Sequence, residues 1–305
     1  MQWSQIKTLF ILCFLALNVY LLFQLYEQQE KHGFINEPIE STFEEQLEQD
    51  NITIPESILN SAEKRASFMT VEQKKFNLKE LKGFDSMLNQ SLSVINETLI
   101  VSVLEKKIEI PESASKENII EIIKRLTPYS DEYTFWKWDK DLNMIIFFQQ
   151  KDNQSIYYNK NGLFILFLND HNQVVFYSQT MLADEEVTQE SQKLISPIRA
   201  IETIYNSGQL LYGDEIEKVE VGYHTRIPSA SGVQVFVPTW KVVVNNEKYY
   251  FVNAIEGYVF SSNEREFLSE ILNEDLKRIQ SSLDDIDQHK NIIVNLYREK
   301  IDLTN

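Results

Sequence analysis

From Thr8 to Phe23 the chain is almost continuously apolar, with Asn18 as the one strongly polar residue. Extended from Ile6 to Tyr26, the run reaches about 20 residues, roughly 30 Å of helix, which is the length that crosses a bilayer. Trp3 and Tyr26 stand near its two ends, where amphipathic rings settle at the headgroup level. A cleaved leader needs small residues at alternating positions after a shorter apolar run. Val19 to Gln24 offers none, so an uncleaved anchor is expected. Beyond it the pattern changes. Ile52 to Leu92 spaces Ile58, Leu59, Phe68, Phe76, Leu81 and Leu88 among charged residues and reads as helical. Thr98 to Leu104 reads as a strand. Pro111 to Ser115 then opens a helix on Ile119, Ile120, Ile123 and Leu126, which Pro128 closes.

Five β-rich runs follow: Tyr133 to Trp138, Met144 to Gln149, Ser155 to Tyr158, Leu163 to Leu168 and Val174 to Thr180. Short polar turns separate them, as in an antiparallel meander. Ser196 and Pro197 then signal an N-cap and first helical position, for a helix through Ile198, Ile201, Ile204 and Tyr205 that Gly208 can end. Strands are expected again at Glu217 to Thr225, Val233 to Val237, Thr239 to Val244, Lys248 to Asn253 and Tyr258 to Phe260. After these, Leu272, Leu276, Ile279, Leu283, Ile286 and Ile293 recur at threes and fours, the stripe of an amphipathic helix. That stripe suits packing on the protein's own sheet; a docking or coiled-coil helix is the other reading.

The expected fold class is therefore α+β: a single N-terminal transmembrane helix, then an extracytoplasmic region of two helix-plus-antiparallel-meander units. In segments, 1–5 is a cytoplasmic tail, 6–26 the transmembrane anchor, 27–51 an acidic stalk, 52–186 a first α+β unit, 187–263 a second, and 264–305 an amphipathic C-terminal helix.

Charge and cysteine usage sharpen this picture. The formal net charge is −17 and there are eight glycines in 305 residues. An acidic chain lacks the basic face that grips phosphate backbones, so nucleic acid is excluded as partner, and scarce glycine disfavours dinucleotide folds. No Lys or Arg lies between His32 and Glu63, so this stretch reads as a solvated spacer repelled by anionic headgroups. The one cysteine, Cys13, lies inside the apolar span, and a thiol-free remainder suits an extracytoplasmic face. Lys7 against Lys31 gives only a lean toward a cytoplasmic N-terminus.

No catalytic, cofactor-binding or metal site emerges. Asp139, Asp141 and Asn143 have the spacing that begins a calcium loop, but Met144 and Gln150 stand where Gly and Glu are needed, so a hairpin turn is expected. Ser113 to Lys116 matches Ser-x-x-Lys without its companion motifs, and helix capping accounts for Ser113 and Ser115. His32, His171, His224 and His289 are each isolated. Trp136, Trp138 and Trp240 are candidate groove aromatics, although rings in β-rich runs are more often packing residues.

Two groups of residues carry a family resemblance. Met1 to Thr8 (MQWSQIKT) leading into Leu17 to Leu22 (LNVYLL), together with Pro238 to Val242 (PTWKV) and Tyr249 to Gly257 (YYFVNAIEG), resemble the YycI (WalI) family, over roughly residues 1 to 262. The resemblance implies a noncatalytic, single-pass membrane protein with a cytoplasmic N-terminus, whose α+β ectodomain is related in fold to part of YycH. It further implies association with YycH and the WalK sensor kinase of the WalK–WalR two-component system through transmembrane helices, modulating cell-wall metabolism. The helical tail after Asn263 exceeds what the family leads one to expect.

Asn18 would gain from a partner in lipid, since interhelical hydrogen bonds hold such helices together, and Ile11, Phe14, Leu15, Leu22 and Leu25 share its face. A lone Asn bonded to its own backbone is the plainer alternative. The rival function is an extracytoplasmic binding module that takes a wall fragment, peptide or lipid head group near Trp136 or Trp240.

Overall fold

The computed structural model describes residues 3–33, 42–59, 61–77, 79, 81, 90–127, 129–184, 186–187, 190–227, 233–260, 263–282 and 290–304. Residues 1–52 and 53–305 form separate units. In the first, Trp3–Gly33 is a helix of 31 residues, α1. Its described side chains at positions 10–22 are all exposed. Among the described residues, no helix is long and apolar enough to cross a membrane. The stalk is not wholly irregular. Phe43–Gln49 forms helix α2, whose N-cap Thr42 and Glu45 make a reciprocal capping box. Positions 34–41 of the stalk lie outside the described residues.

The second unit contains helices α3 (Glu56–Leu59), α4 (Lys116–Ile123), α5 (Pro197–Asn206), α6 (Glu264–Ser281) and α7 (Lys290–Thr304). Its first strands are β1 (Arg65–Ala66), β2 (Met69–Glu72), β3 (Gln90–Ile95), β4 (Leu99–Glu109), β5 (Tyr133–Asp139), β6 (Met144–Lys151), β7 (Gln154–Tyr157) and β8 (Leu163–Leu168). The remainder are β9 (Gln173–Gln179), β10 (Glu186–Val187), β11 (Gln192–Lys193), β12 (Ile216–Ile227), β13 (Val233–Val244), β14 (Lys248–Asn253) and β15 (Val259–Phe260). The class is α+β, dominated by one large, mostly antiparallel sheet in the order β10-β2-β13-β12-β7-β6-β8-β9-β4-β3, with β5 also on β6, and β14 on β13 carrying β15.

The helical reading of Ile52 to Leu92 holds only in pieces of its described part. Glu56–Leu59 is helical, as are Lys79 and Leu81, but Met69–Glu72 is a strand held between β10 and β13. Its Met69 and Val71 are buried while Thr70 is less so, a period of two that the charged neighbours obscured. The first meander also differs from expectation. β5, β6, β8 and β9 pair in succession, but β7 leaves β6 after Gln150↔Ser155 and Lys151↔Gln154 and runs parallel to β12 at Tyr223↔Ile156 and His224↔Tyr157. This junction joins the two runs of strands into one sheet. Gly222 allows the approach: a Cβ there would stand 2.6 Å from the Ser155 carbonyl oxygen and closer still to the Tyr157 ring.

In the later segment, the two strands expected around Pro238 are one, β13. Proline removes a ladder donor. Here it falls where β13 changes neighbours, from β2 at 233–236 to β14 at 239–244.

The runs Met144–Phe148 and Leu163–Leu168 are buried on both faces. Met144, Ile146, Phe148, Ile165 and Phe167 pack with Leu268, Ile271, Leu272 and Ile279 of α6 and with Ile293 and Tyr297 of α7. Ile145, Phe147, Phe164 and Leu166 pack on the other side with Ile119 and Ile123 of α4. The C-terminal stripe thus covers the chain's own sheet, as two helices instead of one. Ser282 leaves the helical conformation, and Leu283 and Ile286 lie outside the described residues. Local signals elsewhere read true. Ser196 caps α5 through the Arg199 amide, Pro197 occupies its start, and Gly208 takes a φ of +70° beyond its end. Ser115, not Ser113, caps α4, with Asn118 answering it in a capping box.

Candidate functional site

The register of β5 against β6 passes from Phe135↔Phe147 to Lys137↔Ile146, which leaves Trp136 as an extra, bulged residue. A bulge reverses the alternation of side chains. Trp136 therefore joins the core beneath α6 and α7, while Trp138, two positions on, packs on the α4 face. Trp240 is fully buried on β13, and its Nε1 donates to the Ile195 carbonyl at 3.0 Å. The three tryptophans do not line one groove.

Trp136 sits beside a cleft. Its ring centroid lies 4.6 Å from that of Tyr249 and 5.9 Å from that of Tyr158. Lys241 Nζ stands 5.6 Å from the Trp136 ring, near enough for a cation–π contact. Trp136 Nε1 donates to Glu264 Oε2 at 2.8 Å, and Lys137 Nζ donates to Glu264 Oε1 at 2.7 Å. Lys137 also pairs with Asp139 at 3.2 Å. Partial burial pulls the Lys137 pKa down, but its hydrogen bonds and ion pairs with Glu264 and Asp139 outweigh that and hold it above its ordinary value. Burial likewise raises Tyr249, with Glu264 adding to the effect. The cleft holds about 510 Å3 and is lined by Lys137, Tyr158, Asn246, Glu247, Tyr249 and Glu264. Sequence reasoning flagged none of these as site candidates, only the neighbouring Trp136. Tyr249 and Glu264 reach the cleft from segments more than a hundred positions away, joined to it only by the sheet and by the start of α6.

The other sequence candidates are dispersed. Asp139, Asp141 and Asn143 belong to the β5–β6 hairpin, where Asp139 Oδ1 accepts from the Leu142 amide and Asn143 takes a φ of +49°. The ring of His224 stacks on Phe260 at 4.3 Å, and burial lowers its pKa, partly opposed by a contact with the Thr225 carbonyl. His171 is exposed in the turn before β9, and His289 lies outside the described residues. Among the described residues, no group of three or more His, Cys, Asp or Glu could hold a metal ion. On α1, Ile11, Phe14, Leu15, Asn18 and Leu22 are exposed; the Leu25 side chain lies outside the described residues.

Comparison with known proteins places this architecture. The model of the YycI protein family matches residues 35–255, more than half of the chain. The chain belongs to the YycI family. This is a family of membrane-associated regulatory accessory proteins of the WalK–WalR system, not known as enzymes. The matched YycI region ends before α6, so the two C-terminal helices lie beyond it. A solved structure of an uncharacterized protein from Eubacterium rectale is 10% identical, covering 65% of this chain and 87% of that one, with a TM-score of 0.41. No curated protein matches the chain.

Proposed function

We propose that this chain is a noncatalytic, single-pass membrane regulator that associates with a YycH-like protein and a WalK-like sensor kinase and modulates signalling that controls cell-wall metabolism. Family membership over residues 35–255 is the observation that carries the reading. The physical route is the apolar sequence of α1. Counted over Ile6 to Tyr26, it has the length of a bilayer-spanning helix. In this reading its N-terminus faces the cytoplasm and the bulk of the chain is extracytoplasmic. The bilayer offers no hydrophobic driving force between helices, so association rests on close packing and polar contacts. Asn18, with Ile11, Phe14, Leu15, Leu22 and Leu25, supplies such a face. Biasing a kinase between two states needs a coupling of only about 1 to 3 kcal/mol.

The test is co-purification from membranes with the kinase and the YycH-like protein. The intact chain is expected to retain both. Exchange of residues 6–26 for an unrelated anchor is expected to lose both and to change kinase output. Retention with the exchanged anchor would move the contact to the ectodomain. Asn18→Leu is expected to weaken co-purification severalfold; unchanged co-purification and output would remove Asn18 from the mechanism.

A further inference from the structure

We propose that the cleft beside Trp136 is a binding site for an uncharged oligosaccharide. The inference is independent of the anchor and of any kinase contact. It rests first on the lining. The rings of Tyr158 and Tyr249 border a hollow of about 510 Å3, backed by Trp136, alongside the amide of Asn246 and the charged heads of Lys137 and Glu264. That volume falls within the range of small-molecule sites, and flat rings with a few convergent polar groups are their usual lining. Rings of this kind pack against the C–H faces of sugars, while amine, carboxylate and amide groups answer the hydroxyls. A second hollow of about 370 Å3, beside Asp131, Gln150, Lys151 and Asp184, has no aromatic side chain in its lining.

The backbone supplies another observation. Tyr158 holds a φ of +49°, a conformation that a bulky residue adopts only when its surroundings enforce it. Its ring is thereby fixed edge-on to Phe251 at 5.4 Å and Phe267 at 5.2 Å, inside the wall of the cleft. Charge narrows the ligand class. The Lys137 ammonium is already engaged by Glu264 at 2.7 Å and Asp139 at 3.2 Å, Lys241 is engaged by Glu220 at 2.9 Å, and Glu247 stands on the rim, so neither cation is left to hold an anionic ligand. Proline-rich peptides also stack in aromatic grooves, but a prolyl backbone offers carbonyl acceptors alone and no N–H donor for the Glu264 carboxylate.

The experiment uses the full chain in neutral phospholipid nanodiscs, which avoids sugar-headed detergents. N-acetylchitotriose, cellotriose and maltotriose are titrated by calorimetry and tryptophan fluorescence, with a decaproline peptide alongside. At least one trisaccharide is expected to bind with a millimolar or tighter Kd. Tyr249→Ala should weaken it about tenfold or more, which corresponds to about 1.4 kcal/mol. Asn246→Gly, which keeps the positive φ of +56° accessible, should weaken it severalfold. Trp138→Phe, on the opposite face of the sheet, should leave it unchanged. If Tyr249→Ala lowers the melting temperature, the exposed Asn246 decides. The proposal is overturned if none of the three sugars binds saturably, if both cleft variants bind as the parent does, or if the peptide binds in their place.

Discussion

Asp275 sits on α6 with 6% of its surface exposed, facing the sheet. Burial pushes its pKa from 3.8 up to about 7. Arg278, whose Nη1 lies 3.5 Å away, opposes that shift, as do Tyr297 of α7 and Lys160 from the turn after β7, while Glu274 adds to it. The folded state therefore binds this proton more tightly than the unfolded chain does. The associated stability is complete below about pH 4 and is lost as pH rises toward 7, beyond which the contribution stays flat. Asp275→Asn carries no titrating proton. The difference in melting temperature between parent and variant, followed from pH 4 to 8, is expected to swing in the variant's favour by the equivalent of a few kcal/mol. A difference that does not vary with pH would place Asp275 in contact with water. Trp240 makes a plainer case: Trp240→Phe takes the donor from the half-buried Ile195 carbonyl, and chemical denaturation should register a loss of about 1 kcal/mol.

Strands and helices whose cues are local follow the sequence closely, and those fixed by distant partners do not. For α5, an N-cap serine, a proline and a terminal glycine lie within a dozen positions. Ser196→Ala is expected to cost about 1 kcal/mol in chemical denaturation, because the Arg199 amide loses its acceptor. The β5–β6 turn was equally legible in Asp139 and Asn143. By contrast, nothing near Gln154–Tyr157 announces that this short strand abandons its neighbours for β12. Its partner is set by Gly222, sixty-odd positions on, where any side chain would strike Tyr157 and the Ser155 backbone. Gly222→Ala should therefore separate β7 from β12, destabilising the chain by about 1 to 3 kcal/mol or more and speeding amide exchange in both strands. Normal exchange there would mean that the junction tolerates a methyl group. The bulge at Trp136 escaped sequence reading for the same reason. It is a mismatch between two strands, visible only once Phe135 and Lys137 are set against Phe147 and Ile146. The cleft depends on that bulge, so Trp136 was legible as an aromatic and its surroundings were not.

The whole chain divides the labour between a helix of apolar sequence and an acidic body that carries its own cores. Residues 53–305 form one unit. Its larger sheet face, with Met144, Ile146, Phe148, Ile165 and Phe167, is covered by the two helices that lie past the family match. Those helices are accordingly structural. Removing residues 264–305 would expose five large apolar side chains from one continuous face, and each buried side chain of that size is worth about 1.5 to 3 kcal/mol. That sum, roughly 7.5 to 15 kcal/mol, is as large as the usual margin of folding, about 5 to 15 kcal/mol. A chain ending at Asn263 is expected to aggregate, or to bind a hydrophobic dye and lose its near-ultraviolet circular dichroism. A chain beginning at Thr53 is expected to keep both its dichroism and its melting temperature, while no longer pelleting with membranes. If the shortened C-terminus instead melted cooperatively at the parent temperature, α6 and α7 would be dispensable to the fold, and their apolar stripe would be free to serve a partner.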